Sequence, residues 1–150
     1  MLNDLKEVKA GWIKFGKVGD WIRGTLADVR EMDSQMKPGE KVKVYEFVAQ
    51  GGAFHYFKKE SGAIVVDPEP TILDTGSIWI VGGKPGIDDK MRNVKIGQIF
   101  GMRFQEEKPN KKNPSYNPTK VIKVLVGEMD KDYHGQTAAD VETVSADQPA

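Results

Sequence analysis

The sequence contains no cysteine and only two histidines, His55 and His134. The first absence excludes disulfide bonds, thiolate metal ligands and a cysteine nucleophile. With so few histidines, a zinc site would have to be completed by carboxylates. We therefore expect a protein that holds no metal and needs no cofactor.

Long apolar runs are also missing. No stretch approaches the roughly 20 residues that a membrane-spanning helix requires. The first residues, "MLNDLKEVKAG", have no apolar segment of the kind found in signal peptides. These features predict a cytoplasmic protein without a membrane partner.

Recognisable catalytic patterns are absent as well. The segment "VGGKPG" resembles a phosphate-binding loop only superficially, because Ile78 stands where that motif needs glycine and Pro85 stands where it needs a hydroxyl. Neighbouring acids such as Glu106 and Glu107 point to opposite sides of a strand, so they do not form a catalytic pair. No nucleophile is placed beside a base. We expect that the protein is not an enzyme.

The charges are balanced in number, 22 basic against 22 acidic residues, but not in position. Residues 128–150 carry a net charge of −5, which leaves about +5 on the rest of the chain. The segment "GQTAADVETVSADQPA" has no aromatic residue and cannot bury enough surface to offset its ordering entropy. The pattern predicts one domain, residues 1–127, followed by a disordered acidic tail, residues 128–150. A basic body with such a tail suits a polyanionic ligand and a tethered competitor for it, although a tail that only solvates the protein is an open alternative.

Short segments rich in β-branched and aromatic residues, separated by glycine and proline, favour strands over helices. The pattern predicts two long strands, a third strand, one short helix and two final strands, at residues 21–32, 41–50, 77–81, 86–94, 95–107 and 119–129. Residues 53–66 form either a hairpin or an inserted loop. This order predicts a mainly β fold, a five-stranded OB barrel with the short helix between strands 3 and 4.

Alternation along the first two strands separates their faces. In the first, Ile22, Gly24 and Leu26 share one face, and Trp21, Arg23 and Thr25 share the other. If Ile22 and Leu26 are core residues, an indole and a guanidinium are exposed side by side, a pairing suited to base stacking and phosphate contact. The second strand sets its valines against Lys41, Lys43, Tyr45 and Phe47, and either of its faces can be the buried one.

Three quoted segments, "KVGDWIRGTLADVRE", "KVYEFVAQGG" and "NVKIGQIFGMRFQEEKPNKKNPSYNPTKVIKVLVGEMD", resemble the small OB-fold single-stranded DNA-binding proteins of tailed bacteriophages. In that family a Gly-Asp pair opens the first long strand, a Lys-Val-Gly type step opens the fourth, and a basic loop joins the last two. Gly19 with Asp20, residues 95–97 and residues 108–112 match those features. The family often ends its acidic tail in an aromatic or apolar residue, whereas this chain ends in "SADQPA".

The resemblance implies DNA binding without sequence specificity, in replication or recombination, inside a bacterial host. It also implies replication or recombination proteins as further partners. Cation and aromatic clusters on the expected groove lead to a set of candidate nucleic-acid-binding residues: Trp12, Lys14, Phe15, Lys17, Trp21, Arg23, Lys43, Tyr45, Phe47, Phe54, Tyr56, Lys58, Lys59, Lys111, Lys112 and Tyr116.

Two other readings of the same residues stay open. The aromatics can be core residues of a structural or assembly β-barrel, for example in a viral particle or a scaffold without nucleic-acid function. An RNA-binding OB domain would differ only in its ligand, since nothing in the sequence reads a 2′-hydroxyl. The sequence does not decide whether the protein is a monomer or a homo-oligomer.

Overall fold

The computed structural model describes residues 11–34, 38–108 and 119–133. Within these ranges the chain is mainly β, as predicted. Its elements are β1 (Gly11–Trp12), β2 (Trp21–Asp33), β3 (Lys41–Phe54), β4 (Phe57–Glu60), β5 (Ala63–Val66), β6 (Thr71–Ile72), β7 (Ile78–Gly82), α1 (Pro85–Met91), β8 (Gln98–Lys108) and β9 (Thr119–Met129). The five predicted strands and the helix are all present, and residues 53–66 contain a hairpin, β4 and β5.

Seven strands form one sheet. Its order is β1-β7-β3-β2-β8-β9, and β6 pairs with β3. All pairs are antiparallel except β1 with β7, while β4 and β5 pair only with each other. In the described residues no ladder joins β9 back to β7 or β1. The expected closed barrel is therefore not seen, and the fold is an open, mainly β sheet.

The core lies against one face of this sheet because alternate strand residues point to the same side. Phe47 of β3 and Phe100 of β8 meet edge to face, with ring centroids 5.6 Å apart. Helix α1 contributes Ile87 and Met91 to the same cluster. The largest completely buried side chains are Phe47, Phe54, Phe100, Phe104, Ile22, Leu26 and Met102.

Two irregularities in the β2–β3 ladder change which residues of β2 are buried. The register shifts between Arg23 and Gly24, and again between Leu26 and Asp28. Residues 24–27 are consequently buried without a break. The expectation that Thr25 shares the exposed face of Trp21 is wrong, because Thr25 is buried and its hydroxyl donates a 2.6 Å hydrogen bond to Asp130.

Of the two faces of β3 that the sequence left open, the one with Tyr45 and Phe47 packs inward, so these two candidate binding residues belong to the core. Phe47 is fully buried, and the buried Tyr45 donates a 2.5 Å hydrogen bond from its hydroxyl to Asp88 of α1. The strand also continues past its predicted end. Gly52 has a φ of +153° there, and a Cβ at this position would lie 2.8 Å from the Trp21 carbonyl oxygen, so glycine lets β3 bend closely around β2.

The predicted boundary between domain and tail falls inside β9, which ends at Met129. Asp130 continues the folded part, since its backbone N–H donates to the Gly97 carbonyl at 2.7 Å. Residues 134–150, which hold most of the predicted acidic tail, lie outside the described residues. No helix within the described ranges has the length and apolarity to cross a membrane.

Candidate nucleic-acid interface

The outer side of β2, β8 and β9 collects an exposed indole and three cations. Trp21 is 43% exposed and pairs in register with Arg103 of β8. Arg103 in turn pairs with Lys123 of β9, and Arg23 lies two residues along β2 on the same side. We name this surface the aromatic face and define it as Trp21, Arg23, Arg103, Lys123 and Leu125.

Glycines give the aromatic face its shape. Arg23 is flanked in the sheet by Gly51 of β3 and Gly101 of β8. Two depressions, of about 330 and about 630 Å³, share Trp21, Gly101 and Leu125 in their linings. A Cβ on Gly51 would lie 3.3 Å from the Trp21 ring, so the missing side chain gives the indole its room. The surface can accept a flat ring beside Trp21.

The cations of the aromatic face are largely uncompensated. The Arg23 Nε donates a 2.9 Å hydrogen bond to the neutral Gln50 side chain. Within the described part of the chain, Arg103 and Lys123 form no ion pair. By contrast, Arg30, farther along β2, lies within ion-pair distance of Asp28 and Glu46. The aromatic face is therefore open to phosphate groups.

The sequence-predicted site residues separate into four groups. Trp12, Lys14, Lys17, Trp21, Arg23, Lys58 and Lys59 are exposed, and Lys43 and Tyr56 are half-buried. Phe15, Tyr45, Phe47 and Phe54 are buried in the core. Their rings are enclosed by the sheet and have no free face for a base, so these four residues do not belong to the binding surface. Lys111, Lys112 and Tyr116 lie outside the described residues.

The exposed candidates do not form one surface. Trp12, as exposed as Trp21, lies on β1, at the opposite end of the sheet order from β9. Lys58 pairs with Glu60 of its own hairpin at 2.8 Å. Lys14 donates to the Phe57 carbonyl at 3.2 Å. Of the predicted site residues that the structure describes, it brings only Trp21 and Arg23 together on the aromatic face.

Asp20, part of the Gly-Asp pair, has a structural role. It is buried, and its Oδ2 accepts the backbone N–H groups of Gly16, Lys17 and His55 at 2.8 to 3.0 Å. Its Oδ1 lies 2.7 Å from His55 Nδ1. Asp20 thereby fixes the turn that leads into β2 and places Trp21 at the start of that strand.

A second basic surface lies between the β4–β5 hairpin, α1 and β9. It is a cavity of about 690 Å³, which we name the lysine pocket. Its lining combines four lysines, one acid, one hydroxyl and an apolar wall: Lys59, Lys84, Lys90, Lys120, Glu107, Thr119, Phe57, Ile64, Ile87, Val121 and Ile122, with Gly86.

Two of these lysines are held by the protein. Lys120 donates to the Phe15 carbonyl at 2.7 Å, and its ammonium lies 3.6 Å from the centre of the Phe57 ring. Lys90 donates to the Ile122 carbonyl at 2.8 Å. Burial lowers the pKa of Lys120, and the nearby charge of Lys84 lowers it further, while Glu107 acts in the opposite direction. Burial likewise lowers the pKa of Lys84.

Sequence reasoning missed the residues that complete both surfaces. Arg103 could have been found from the sequence. Strand alternation predicts that Met102 and Phe104 are buried, so Arg103 between them must point outward. Lys84 was considered only within a phosphate-loop pattern that fails. The lysine pocket had no signal in sequence, since it forms where three distant segments meet.

No group of three or more histidine, cysteine, aspartate or glutamate side chains in the described ranges is arranged to hold a metal ion. The chain matches no protein-family model, no curated protein and no solved structure. Its function is therefore inferred from the residues and from the geometry of the two surfaces.

Proposed function

We propose that this protein binds single-stranded DNA without sequence specificity. The observation that carries the proposal is the aromatic face, where half-exposed Trp21 lies among three cations that form no ion pair in the described residues. An exposed indole can stack on any base, since every base has a flat face. Arg103 and Lys123 would contact the phosphates and release their counterions.

The strand arrangement supports the OB-type fold that the resemblance to phage single-stranded DNA-binding proteins implies. The five longest strands of the main sheet follow the order β7-β3-β2-β8-β9, all antiparallel, and α1 comes between the third and fourth of them along the chain. The position of this helix agrees with the OB-type fold that we propose, in which one short helix precedes the fourth strand. On this proposal the protein coats DNA during replication or recombination.

Fluorescence anisotropy of a labelled single strand, with duplex competitor and at two salt concentrations, tests the function. We expect the single strand to bind in preference to the duplex, more weakly at higher salt. Trp21→Ala should weaken binding by about 1 to 3 kcal/mol with the melting temperature retained. Trp12→Ala, equally exposed but on β1, is the matched control. An equal loss in both variants, or no binding at low salt, would contradict the proposal.

A second candidate function, assembly through self-association, is favoured by β9. This strand ends the described sheet, and strands at a sheet edge present unpaired backbone groups to other chains. Val126 and Met129 of β9 and the nearby Ile96 are about half exposed. Sedimentation without nucleic acid tests this alternative: it requires oligomers that Val126→Lys dissociates, and a monomer at high protein concentration would exclude it.

A further inference from the structure

The lysine pocket has a composition that folding alone does not explain. Four ammonium groups share a cavity with a single carboxylate, Glu107, and with a largely aliphatic wall. Burying ammonium groups beside apolar surface costs free energy: burial lowers the pKa of both Lys84 and Lys120, and the charge of Lys84 lowers that of Lys120 further. An arrangement of this kind is typical of functional sites, where such costs are offset when a ligand binds.

Most of the free hydrogen-bonding capacity of the pocket consists of the N–H donors of its lysines. An ammonium group has three N–H donors and no acceptor. Lys90 and Lys120 each donate one bond to a backbone carbonyl, which leaves two donors on each. Among the described residues, the side-chain ammonium groups of Lys59 and Lys84 form neither a hydrogen bond nor an ion pair. The matching ligand group is an anion with several acceptor oxygens, as in a phosphate.

The volume of the pocket and its apolar wall indicate a ligand larger than inorganic phosphate. A volume of about 690 Å³ lies within the range of sites for small organic ligands, roughly 300 to 1,000 Å³. Ile64, which is 43% exposed, and the half-buried Val121 offer aliphatic surface to a flat ring. Glu107 and Thr119 supply polar groups for hydroxyl or amino groups beside it.

From this combination we infer that the lysine pocket binds a nucleoside phosphate, with its phosphate at Lys59, Lys84 and Lys120 and its base against Ile64 and Val121. Two sources share this chemistry. One is a free nucleotide. The other is a nucleotide unit of a bound strand, and that version rests on the proposed DNA binding.

Isothermal titration calorimetry with adenosine 5′-monophosphate tests the inference, with adenosine and inorganic phosphate as separate probes. We expect the nucleotide to bind at least about tenfold more tightly than either part, because both the cations and the wall contribute. The double variant Lys59→Ala/Lys84→Ala should weaken it about tenfold or more. Neither side chain has a protein partner to lose among the described residues, so the fold should be retained.

Lys95→Ala is the matched control, since Lys95 is exposed and does not line the pocket. It should change nucleotide affinity by less than about twofold. No binding of adenosine 5′-monophosphate, or equal binding to the double variant and the unaltered protein, would overturn the inference. Binding of adenosine as tight as that of the nucleotide would do the same.

Titration of a single strand into the same variants separates the two sources. If the double variant loses affinity for both nucleotide and strand, the pocket takes a unit of the strand. If it loses only the nucleotide, the pocket serves a free nucleotide. Strand binding that depends on Trp21 without any nucleotide binding would overturn the pocket and leave the proposed function standing. Nucleotide binding without strand binding would overturn the proposed function and leave the pocket standing.

Discussion

At the scale of single residues, Asp20 shows that the carboxylate of the Gly-Asp pair supports the fold. Its carboxylate gathers three backbone N–H groups and the His55 ring at the turn before β2. Sequence alone gave no reason to separate this role from ligand contact, because a carboxylate after glycine suits both. Its burial decides between them.

Removal of this carboxylate should be costly. Asp20→Ala leaves three N–H groups without their acceptor in a partly buried turn, and each unsatisfied group that is buried costs about 1 to 3 kcal/mol. We expect the free energy of unfolding to fall by about 3 kcal/mol or more. Denaturant unfolding measures it, and Asp67→Ala, which alters an exposed carboxylate, is the matched control. A loss below about 1 kcal/mol would mean that the turn has other support.

The residues of β2 show where alternation works and where it stops working. The outward position of Trp21 and Arg23 follows from the burial of Ile22, and the structure has both exposed. Thr25 does not follow the alternation because the register of the β2–β3 ladder shifts beside it. Such bulges leave no reliable signal in a single sequence. In β3 both faces are apolar, so alternation alone could not decide which one packs inward.

At the scale of elements, one hydrogen bond joins β3 to α1, from the Tyr45 hydroxyl to Asp88. Burial, followed by this bond and the charge of Asp88, raises the pKa of Tyr45 well above its usual value near 10. A group whose pKa is raised by folding stabilises the folded state fully below its unfolded pKa. That contribution is lost as the pH rises above about 10.

Tyr45→Phe tests this coupling. The variant should be less stable by about 1 kcal/mol near neutral pH, because the hydrogen bond is lost. The difference between the two proteins should shrink above about pH 10, where only the unaltered protein has the phenol to ionise. Thermal unfolding followed by circular dichroism over that pH range measures it. A difference that stays constant with pH would contradict the coupling of Tyr45 to α1.

The boundaries of elements were harder to predict than their existence. All five predicted strands are found, yet β3 runs on past its predicted end at residue 50, through Gly51 and Gly52. Here glycine permits a bent strand rather than ending it, because Gly52 packs directly on the β2 backbone. The edge of β9 likewise extends past the predicted tail boundary, held by Asp130 and its bonds to Thr25 and Gly97.

At the scale of the whole molecule, an overall neutral chain presents two separate basic surfaces. Composition could indicate a basic body, but it could not show that the basic residues form two surfaces. The aromatic face and the lysine pocket are each formed by segments that are distant in sequence. For the proposed function this predicts a salt dependence that can be assigned to named cations.

Arg103→Gln combined with Lys123→Gln tests that assignment. The logarithm of affinity for a single strand falls with the logarithm of salt concentration by about 0.7 per neutralised phosphate. We expect the double variant to reduce this slope by about 1.4, with the fold retained because both side chains are exposed. Anisotropy titrations across a salt series measure it. An unchanged slope would show that these cations do not touch the strand.

The pairing of β2 with β8 also bears on how the molecule folds. β2 with β3, and β8 with β9, are hairpins of neighbouring strands, whereas Trp21 and Arg103 are roughly eighty positions apart. Contacts that close such long loops form late and slowly. Until the two hairpins join, the edge of β2 that later receives β8 is uncovered, and strand edges of this kind pair with other chains. Refolding should therefore lose yield to aggregation as protein concentration rises, and dilution should restore it.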